Sequence, residues 1–401
     1  MRLAVALGGT DWGRSGIGTY TRAVLARLGR ALHESGEQLV VLGTQRDLDA
    51  YEGVLEHTER VRLSSLIDRP AVSAAWHLTR VGARARAAGA DVLLLPAANR
   101  RIPLSAGIPS VGVVHDLAQF VIPKKYDALR TRYVCDVLPR AFSALSALVV
   151  VSQATRSDVS RVLSYKPEQI HVIPNGVDTS RFATPTPDKL AQMRVQTGLE
   201  GPYLLYLSRL EHPGKNHLRL LQAYAESPVR HTHRLALVGP DWGAGHRIQL
   251  EIQRLNLEDR VRVVGYVADE HVPGLIADAT AVIAVGLCEG FGLPALEALA
   301  MGRPVVVSNT GALPEVVGEL GILCDPYNPA DMAAALTRVV GDSAWAERIR
   351  QEGPTYARRL SWERTSDQLL SLCRQAASGV VPVLAQPAAI PAPAAGAAAS
   401  P

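Results

Sequence analysis

An α/β protein built on parallel sheets wrapped by helices, in two or three domains, is the fold class the sequence predicts, and three observations predict it. Short apolar, β-branched runs alternate with segments of helical spacing through both halves of the chain, the pattern of strands buried on both faces by crossover helices. A length of 401 residues points to two or three domains, and an apolar share of 47% is ample for their cores. Pro, Asn and Gly concentrate after a strand at Ile173-Pro174-Asn175-Gly176-Val177-Asp178, which places a domain boundary near residue 175.

In the first half, Leu3 to Leu7 reads as the opening strand. The glycine-rich turn Gly13-Arg14-Ser15-Gly16-Ile17-Gly18-Thr19-Tyr20 follows, and Thr19 to Leu32 carries Tyr20, Val24, Leu25 and Leu28 at helical spacing. These glycines are not in G-x-G-x-x-G order, and no acidic residue follows a second strand at the required place, so a dinucleotide fingerprint is not supported. Gln38 to Gly43 and Asp91 to Leu95 are further strands, whereas Tyr51 to Arg62 shows no clear pattern. Ser110 to Val114 is a buried strand that ends in His115 and Asp116, where open α/β sheets present ligand contacts. A histidine so placed is otherwise a hydrogen-bonded structural residue, and Asp116 either orients it or caps the next turn. Pro123 to Arg140 mixes basic and apolar residues, as a partly exposed amphipathic helix would, or one facing membrane or acceptor. Leu148 to Ser152 gives the last central strand, and Ser152 caps a following helix.

In the second half, the strand Tyr203 to Leu207 ends at Ser208-Arg209-Leu210, ahead of Pro213-Gly214-Lys215-Asn216. An arginine clamps phosphate oxygens through a planar fork and a lysine supplies a compact charge, although two cations beside a turn are ordinarily surface residues. Leu235 to Pro240, Val261 to Val267, Ala281 to Val285, Pro304 to Ser308 and Gly321 to Cys324 continue the strands. Ala330 to Val340 is a helix with Met332, Leu336, Val339 and Val340 at core spacing, and Ser361 to Arg374 is the final helix. Residues 379–401 are Pro- and Ala-rich and uncharged, as a disordered tail would be.

The stretch Cys288-Glu289-Gly290-Phe291-Gly292-Leu293-Pro294-Ala295-Leu296-Glu297 is the point around which the chain is organised. It reads as a strand, a glycine turn and a helix start, with Pro294 at the first helical position. Gly290 and Gly292 admit a ligand close to the backbone, and the N–H groups of the first helical turn suit a phosphate or a sugar hydroxyl. Glu289 and Glu297 are not a helical pair: eight residues on one helix would part them by about 12 Å, beyond the roughly 5 to 9.5 Å of paired glycosidase carboxylates. Spacing alone allows Glu289 to be a turn acid and Glu297 a solvated helix residue.

Composition narrows the classes. Cys135, Cys288, Cys324 and Cys373 show no C-x-x-C spacing and no histidine cluster stands with them, which argues against structural zinc or a disulfide framework and suits a reducing compartment. No 18-residue apolar run exists and the apolar start breaks at Gly8-Gly9, so a cytoplasmic enzyme is expected. Residues 1–178 hold 22 Lys and Arg against 16 Asp and Glu, so the whole basic excess lies in the first half. A solvated surface accounts for it, with an anionic membrane or lipid-linked acceptor as the alternative.

Glu289, Gly-Phe-Gly-Leu-Pro, Glu297 and then Ala298-Leu299-Ala300-Met301-Gly302-Arg303-Pro304-Val305-Val306 together resemble the signature of the retaining family 4 glycosyltransferases. The resemblance runs over roughly residues 1 to 375 and is strongest from 203 to 315. It implies the GT-B fold, two Rossmann-like doubly wound parallel-sheet domains facing across a cleft. Residues 1–175 would be the acceptor domain, onto which a helix at about 361–375 returns, and 176–360 the nucleotide-sugar donor domain. The same resemblance implies that Glu289 contacts the donor sugar, that N–H groups of Gly290, Phe291, Gly292 and Leu293 hold sugar and phosphate, and that Glu297 grips the ribose. It implies that Arg209 and Lys215 neutralise the donor diphosphate and that Gly16 approaches it and the acceptor through its backbone. Gly239 would lie near the nucleotide, the backbone at Tyr266 and Val267 would meet the base, and His115 would reach the donor sugar near the reacting centre. Asp269 is read as capping the helix that follows it.

The implied reaction moves a hexose, such as mannose or glucose, from a nucleotide-diphosphate sugar to a glycan, lipid-linked or small-molecule acceptor with retention. No cofactor, no metal and no nucleic-acid partner are expected, and no Asp-x-Asp pair stands among the donor residues. Peripheral contact with the inner face of the membrane through the basic first domain is a further expectation. Two rival classes share the architecture: a sugar-nucleotide epimerase or sugar phosphorylase, and a non-catalytic sugar-nucleotide binding subunit. A phosphorylase would need a buried lysine for pyridoxal phosphate, for which no motif is found, and a binding subunit would be expected to have lost one of His115, Arg209, Lys215, Glu289 or Glu297.

Overall fold

The structure, a computed structural model, describes residues 1–122, 131–163 and 170–380. The first part of the basic segment read at Pro123 to Arg140, and all but the first two residues of the tail read at 379–401, lie outside the described residues. Among the described residues the chain forms two compact units: Met1–Gly176 together with residues 362–380, and Val177–Ser361.

The first unit is a seven-stranded parallel sheet in the order β3-β2-β1-β4-β5-β6-β7. Its strands are β1 Arg2–Ala6, β2 Gln38–Gly43, β3 Thr58–Arg62, β4 Val92–Leu95, β5 Ser110–Val114, β6 Ala147–Val150 and β7 Ile170–Val172. β4, β5 and β6 are buried at every residue, as sequences apolar on both faces must be. The region that shows no pattern in the sequence, Tyr51 to Arg62, resolves into the short turn Glu52–Val54 and the edge strand β3. β3 buries only Val61, so its polar, charged sequence suits an edge and hides the alternation by which a strand is recognised. The helix Gly16–Glu34 buries Ile17, Tyr20, Val24, Leu25, Leu28 and Leu32, the i, i+3, i+4 stripe of a core-facing helix, and Ser15 caps it.

The last helix among the described residues, Trp362–Ala377, belongs to this unit and not to the one whose sequence precedes it. It buries Trp362, Leu369, Leu370, Leu372 and Cys373 against the helix Gly16–Glu34, β4 and β5. The rings of Trp362 and Tyr20 meet edge to face at 5.9 Å, and Thr365 Oγ1 donates to the Pro174 carbonyl at 2.7 Å. Exposed ion pairs, Arg27 with Glu363 and Arg374 with Glu37, trim its edges; such pairs contribute at most about 1 kcal/mol each. Apolar burial therefore holds the helix in place.

The second unit is a six-stranded parallel sheet in the order β10-β9-β8-β11-β12-β13. These are β8 Tyr203–Leu207, β9 Arg234–Val238, β10 Val261–Gly265, β11 Ala281–Ala284, β12 Val305–Ser308 and β13 Gly321–Cys324. The order reverses between β8 and β11, which makes the loops leaving those two strands the place where a doubly wound sheet opens a crevice at its carboxyl edge. The helix Pro329–Gly341 buries Met332, Leu336 and Val339, while the helices Pro187–Thr197 and Ser343–Ala357 have no counterpart in the sequence reading.

Leu369 has no exposed surface. Leu369→Ala should lower the unfolding free energy by about 2 to 5 kcal/mol, measured by denaturant titration; an unchanged midpoint would show that this helix adds nothing to the core.

Candidate functional site

The loops that leave β8, β11 and β13 in the second unit are tied together by one buried amide. Asn216 adopts a left-handed conformation (φ 58°) at the start of the helix His217–Glu226 and is 2% exposed. Its Nδ2 donates to the carbonyls of Val285 (3.1 Å) and Pro326 (2.7 Å), while the N–H of Leu287 donates to Gly214 O at 2.9 Å. The loop after β8 is thereby fixed against the loop after β11. Lys215 Nζ consequently lies 2.6 Å from Glu289 Oε1, with side chains 21% and 19% exposed. A Cβ at Gly286 would sit 2.5 Å from that same oxygen, so the glycine makes the room in which the carboxylate lies. From the far side, Ala312 N–H donates to Glu289 O at 3.0 Å, and Gly311, with φ +64°, lets the backbone come this close.

Arg209 is braced twice. Its Nε donates to the Glu211 carboxylate, and its guanidinium carbon lies 4.6 Å from the ring centroid of Trp242. Its terminal Nη groups have no protein partner among the described residues. Trp242 belongs to the loop after β9, which is locked to the Arg209 loop: Trp242 N–H donates to Leu210 O and Leu210 N–H to Pro240 O, at 3.0 and 2.9 Å. Gly239 in this loop has φ +147°, and a Cβ there would lie 2.2 Å from Ser208 O, so only glycine fits. Gly239 N–H donates to Gly265 O at 2.8 Å, which ties in the loop carrying exposed Tyr266 and half-buried Val267.

The helix after β11 runs Leu293–Ala300, so Pro294 is its second residue, one place later than the sequence reading put it. The lost N–H is still one of the four that have no partner within the helix. Gly292, with φ +95°, stands at the cap and offers no side chain to those N–H groups. Phe291 is buried beneath the turn, whereas Gly290 is half-buried. Glu297 is 9% exposed, which rules out a solvated helix residue. Burial pushes its carboxyl up to about 7; Arg181 pulls it back down and Asp269 adds to the rise. Arg181 Nη2 in turn donates to the Asp269 carbonyl at 2.7 Å. Glu289 is likewise more than a turn acid, being paired with a lysine 74 positions away.

In the first unit, Gly16 opens the helix Gly16–Glu34 and is exposed beside the Ser15 cap. His115 is 7% exposed at the end of β5, and its Nε2–H donates to the Pro96 carbonyl at 2.8 Å. Burial pushes its pKa down to about 4, so the ring is neutral at pH 7 with Nδ1 as its acceptor, and Tyr20 packs edge-on against it at 4.8 Å. Asp116 Oδ1 accepts from Ala118 N–H at 3.1 Å, capping the next turn. The sequence reading missed the preceding loop, where Asp11 and Trp12 both hold left-handed backbone, at φ 55° and 50°. Arg46 stacks on Trp12 at 3.5 Å and Arg100 pairs with Asp11. It also passed over the chain's one Asp-x-Asp, Asp47-Leu48-Asp49. Those carboxylates are engaged separately, Asp47 in a capping box with Thr44 and Asp49 by the Gln45 amide. Among the described residues no three His, Cys, Asp or Glu side chains gather as a metal site, and no helix is long and apolar enough to cross a membrane.

Residues 191–356 match the family profile described as glycosyl transferases group 1, and residues 21–181 match that of glycosyltransferase family 4. The O-antigen chain mannosyltransferase B of Escherichia coli is 32% identical over 267 residues, 65% of this chain and 69% of that protein. This chain belongs to the family 4 glycosyltransferases. The MMP α-(1→4)-mannosyltransferase of Mycolicibacterium hassiacum is 33% identical over 245 residues, 60% of this chain and 57% of that protein. The D-inositol 3-phosphate glycosyltransferase of Corynebacterium jeikeium is 35% identical over 216 residues, 51% of each. The chain thus spans little more than half the length of these last two relatives. A sucrose-phosphate synthase of Thermosynechococcus elongatus superposes over 94% of this chain and 100% of its own with a TM-score of 0.76 at 23% identity. Anabaena HepE, solved in complex with UDP and glucose, does so over 92% and 98% with a TM-score of 0.71 at 21% identity. The glycosyltransferase thus has the GT-B fold, two α/β units on parallel sheets.

A pH dependence follows from Glu297. Its carboxyl keeps its proton to about 7 in the folded protein, against an ordinary value of 4.5, so the unfolded chain releases the proton first and stability falls as pH rises from about 4.5 to about 7. Across that window the wild type should lose on the order of 3 kcal/mol relative to Glu297→Gln. Unfolding titrations of the two proteins at pH 4.5 and pH 8 measure the difference; parallel curves would contradict the burial cost.

Proposed function

We propose that this glycosyltransferase moves a hexose, mannose in the first instance, from a nucleotide-diphosphate sugar to a glycan, lipid-linked or small-molecule acceptor, with retention and without a metal. The observation that carries the reading is the Lys215–Glu289 pair at 2.6 Å on the crevice of the second unit, with Arg209, whose Nη groups have no partner among the described residues, on the same loop as Lys215. Mannose is favoured by two relatives named as mannosyltransferases, and a nucleotide-diphosphate donor is supported by the UDP-glucose complex of HepE.

As the bond between the anomeric carbon and the donor phosphate breaks, the departing diphosphate gains negative charge. Groups whose interaction with it strengthens at that moment lower the barrier. Arg209 offers its fork, Lys215 a point charge, and the first turn of Leu293–Ala300 its N–H groups and positive dipole end. Glu289, released from Lys215 as the lysine turns to phosphate, is placed to hold the sugar, and Glu297 to accept from the ribose.

Transfer should survive excess EDTA. Arg209→Ala or Lys215→Ala should cost on the order of 10- to 100-fold in kcat/KM, and Lys215→Arg should not restore it, since a fork does not replace a point charge. Loss of activity in EDTA with rescue by magnesium or manganese would overturn the metal-free reading. An epimerase would instead form product with no acceptor alcohol present.

The glutamates should separate. Glu297→Ala should mainly weaken binding of the sugar-free nucleoside diphosphate, and Glu289→Ala should mainly slow transfer. Titration of UDP and GDP beside turnover assays tests this, and equal losses of nucleotide affinity in the two variants would be incompatible with the assignment.

A further inference from the structure

Trp242 is 43% exposed, yet it stands in a loop pinned by several backbone hydrogen bonds. Asp241 Oδ1 accepts from the N–H groups of Gly243, Ala244 and Gly245 at 2.8, 3.0 and 2.9 Å, and the Trp242 N–H is taken by Leu210 O. A large aromatic held this firmly with so much surface in water is not placed there for the core. Its ring lies under the Arg209 guanidinium at 4.6 Å, while Glu211 occupies Nε. One face and one edge of the guanidinium are therefore used, and the edge left over carries the two Nη groups, the fork that grips a phosphate.

We infer that Trp242 is a positioning residue for Arg209: the indole fixes the plane of the guanidinium so that its Nη edge meets the donor diphosphate without first giving up rotamer freedom. The inference rests on Arg209 being a diphosphate ligand, as proposed above. A braced arginine loses less entropy on binding than a free one, and the stack keeps the side chain from folding wholly onto Glu211.

The test is binding of UDP and GDP, by calorimetry, to the wild type, Trp242→Ala, Trp242→Phe, Arg209→Ala and the Arg209→Ala/Trp242→Ala double variant, with melting curves to confirm folding. Trp242→Ala should raise Kd about 2- to 10-fold, the range of a partly exposed cation–π contact. Trp242→Phe, which keeps a ring face, should recover most of that loss. In the Arg209→Ala background, removing Trp242 should change nothing further, an outcome that a general loosening of the loop would not give. An additive loss in the double variant, or unchanged affinity in Trp242→Ala while Arg209→Ala binds weakly, would overturn the brace alone. Unchanged affinity in Arg209→Ala itself would overturn the donor-site role of Arg209, and the brace with it.

Discussion

The candidate site depends on the buried amide of Asn216, whose two hydrogen bonds to Val285 O and Pro326 O join the loop after β8 to the loops after β11 and β13. An amide taken out of water with its donors unmatched would cost several kcal/mol in an apolar setting, whereas one that is matched is nearly neutral in energy and highly directional. Direction is what this site needs. Lys215 follows from the clamp because it precedes Asn216 in the chain, and Glu289 follows because Gly286 and Gly311 leave space on either side of it. Three residues with little chemistry of their own, Asn216, Gly286 and Gly311, thus decide where the two charged ones stand.

Charge in the second unit is stored in matched pairs. Lys215 is balanced by Glu289 and Arg209 by Glu211, each pair partly desolvated. Such pairs gain little net energy over water, because the cost of removing ions from solvent offsets most of their attraction. They do hold each cation in place. On the proposed function, an anionic ligand would compete with carboxylates already present, and a diphosphate would have the advantage of accepting from Lys215 and from the Arg209 fork at once.

Much of this architecture could be read in the sequence, for identifiable reasons. Central strands such as β4 and β11 are apolar on both faces and announce themselves; β3 does not, because an edge strand carries Glu59, Arg60 and Arg62 where alternation would be sought. The loops of the candidate site stand out because glycines, a proline and charged groups between a strand and a helix have few other uses. What the sequence could not supply was proximity. Nothing in a separation of 74 residues foretells that Lys215 touches Glu289, and helical spacing cannot say that Glu297 lies under cover instead of in water. Trp242 escaped notice since a tryptophan in a turn has no signal until the arginine above it is seen. Asp11 and Trp12 were missed because left-handed backbone is expected of glycine, and neither is one.

The placement of Trp362–Ala377 gives the chain an order of assembly. Every described strand of the first sheet has been made once residue 172 is complete, yet the helix that covers β4, β5 and Tyr20 is synthesised only after the second unit. Between them lies the entire second unit, whose chain ends are pinned together by the Val177–Ser361 bridge and the bond from Val177 N–H to Leu360 O. Closing so long a loop carries an entropic cost that grows only slowly with its length, and the second unit meets that cost by folding on its own sheet. A ribosome therefore releases a first unit with an open flank, and the unit that interrupts it delivers the piece that seals it.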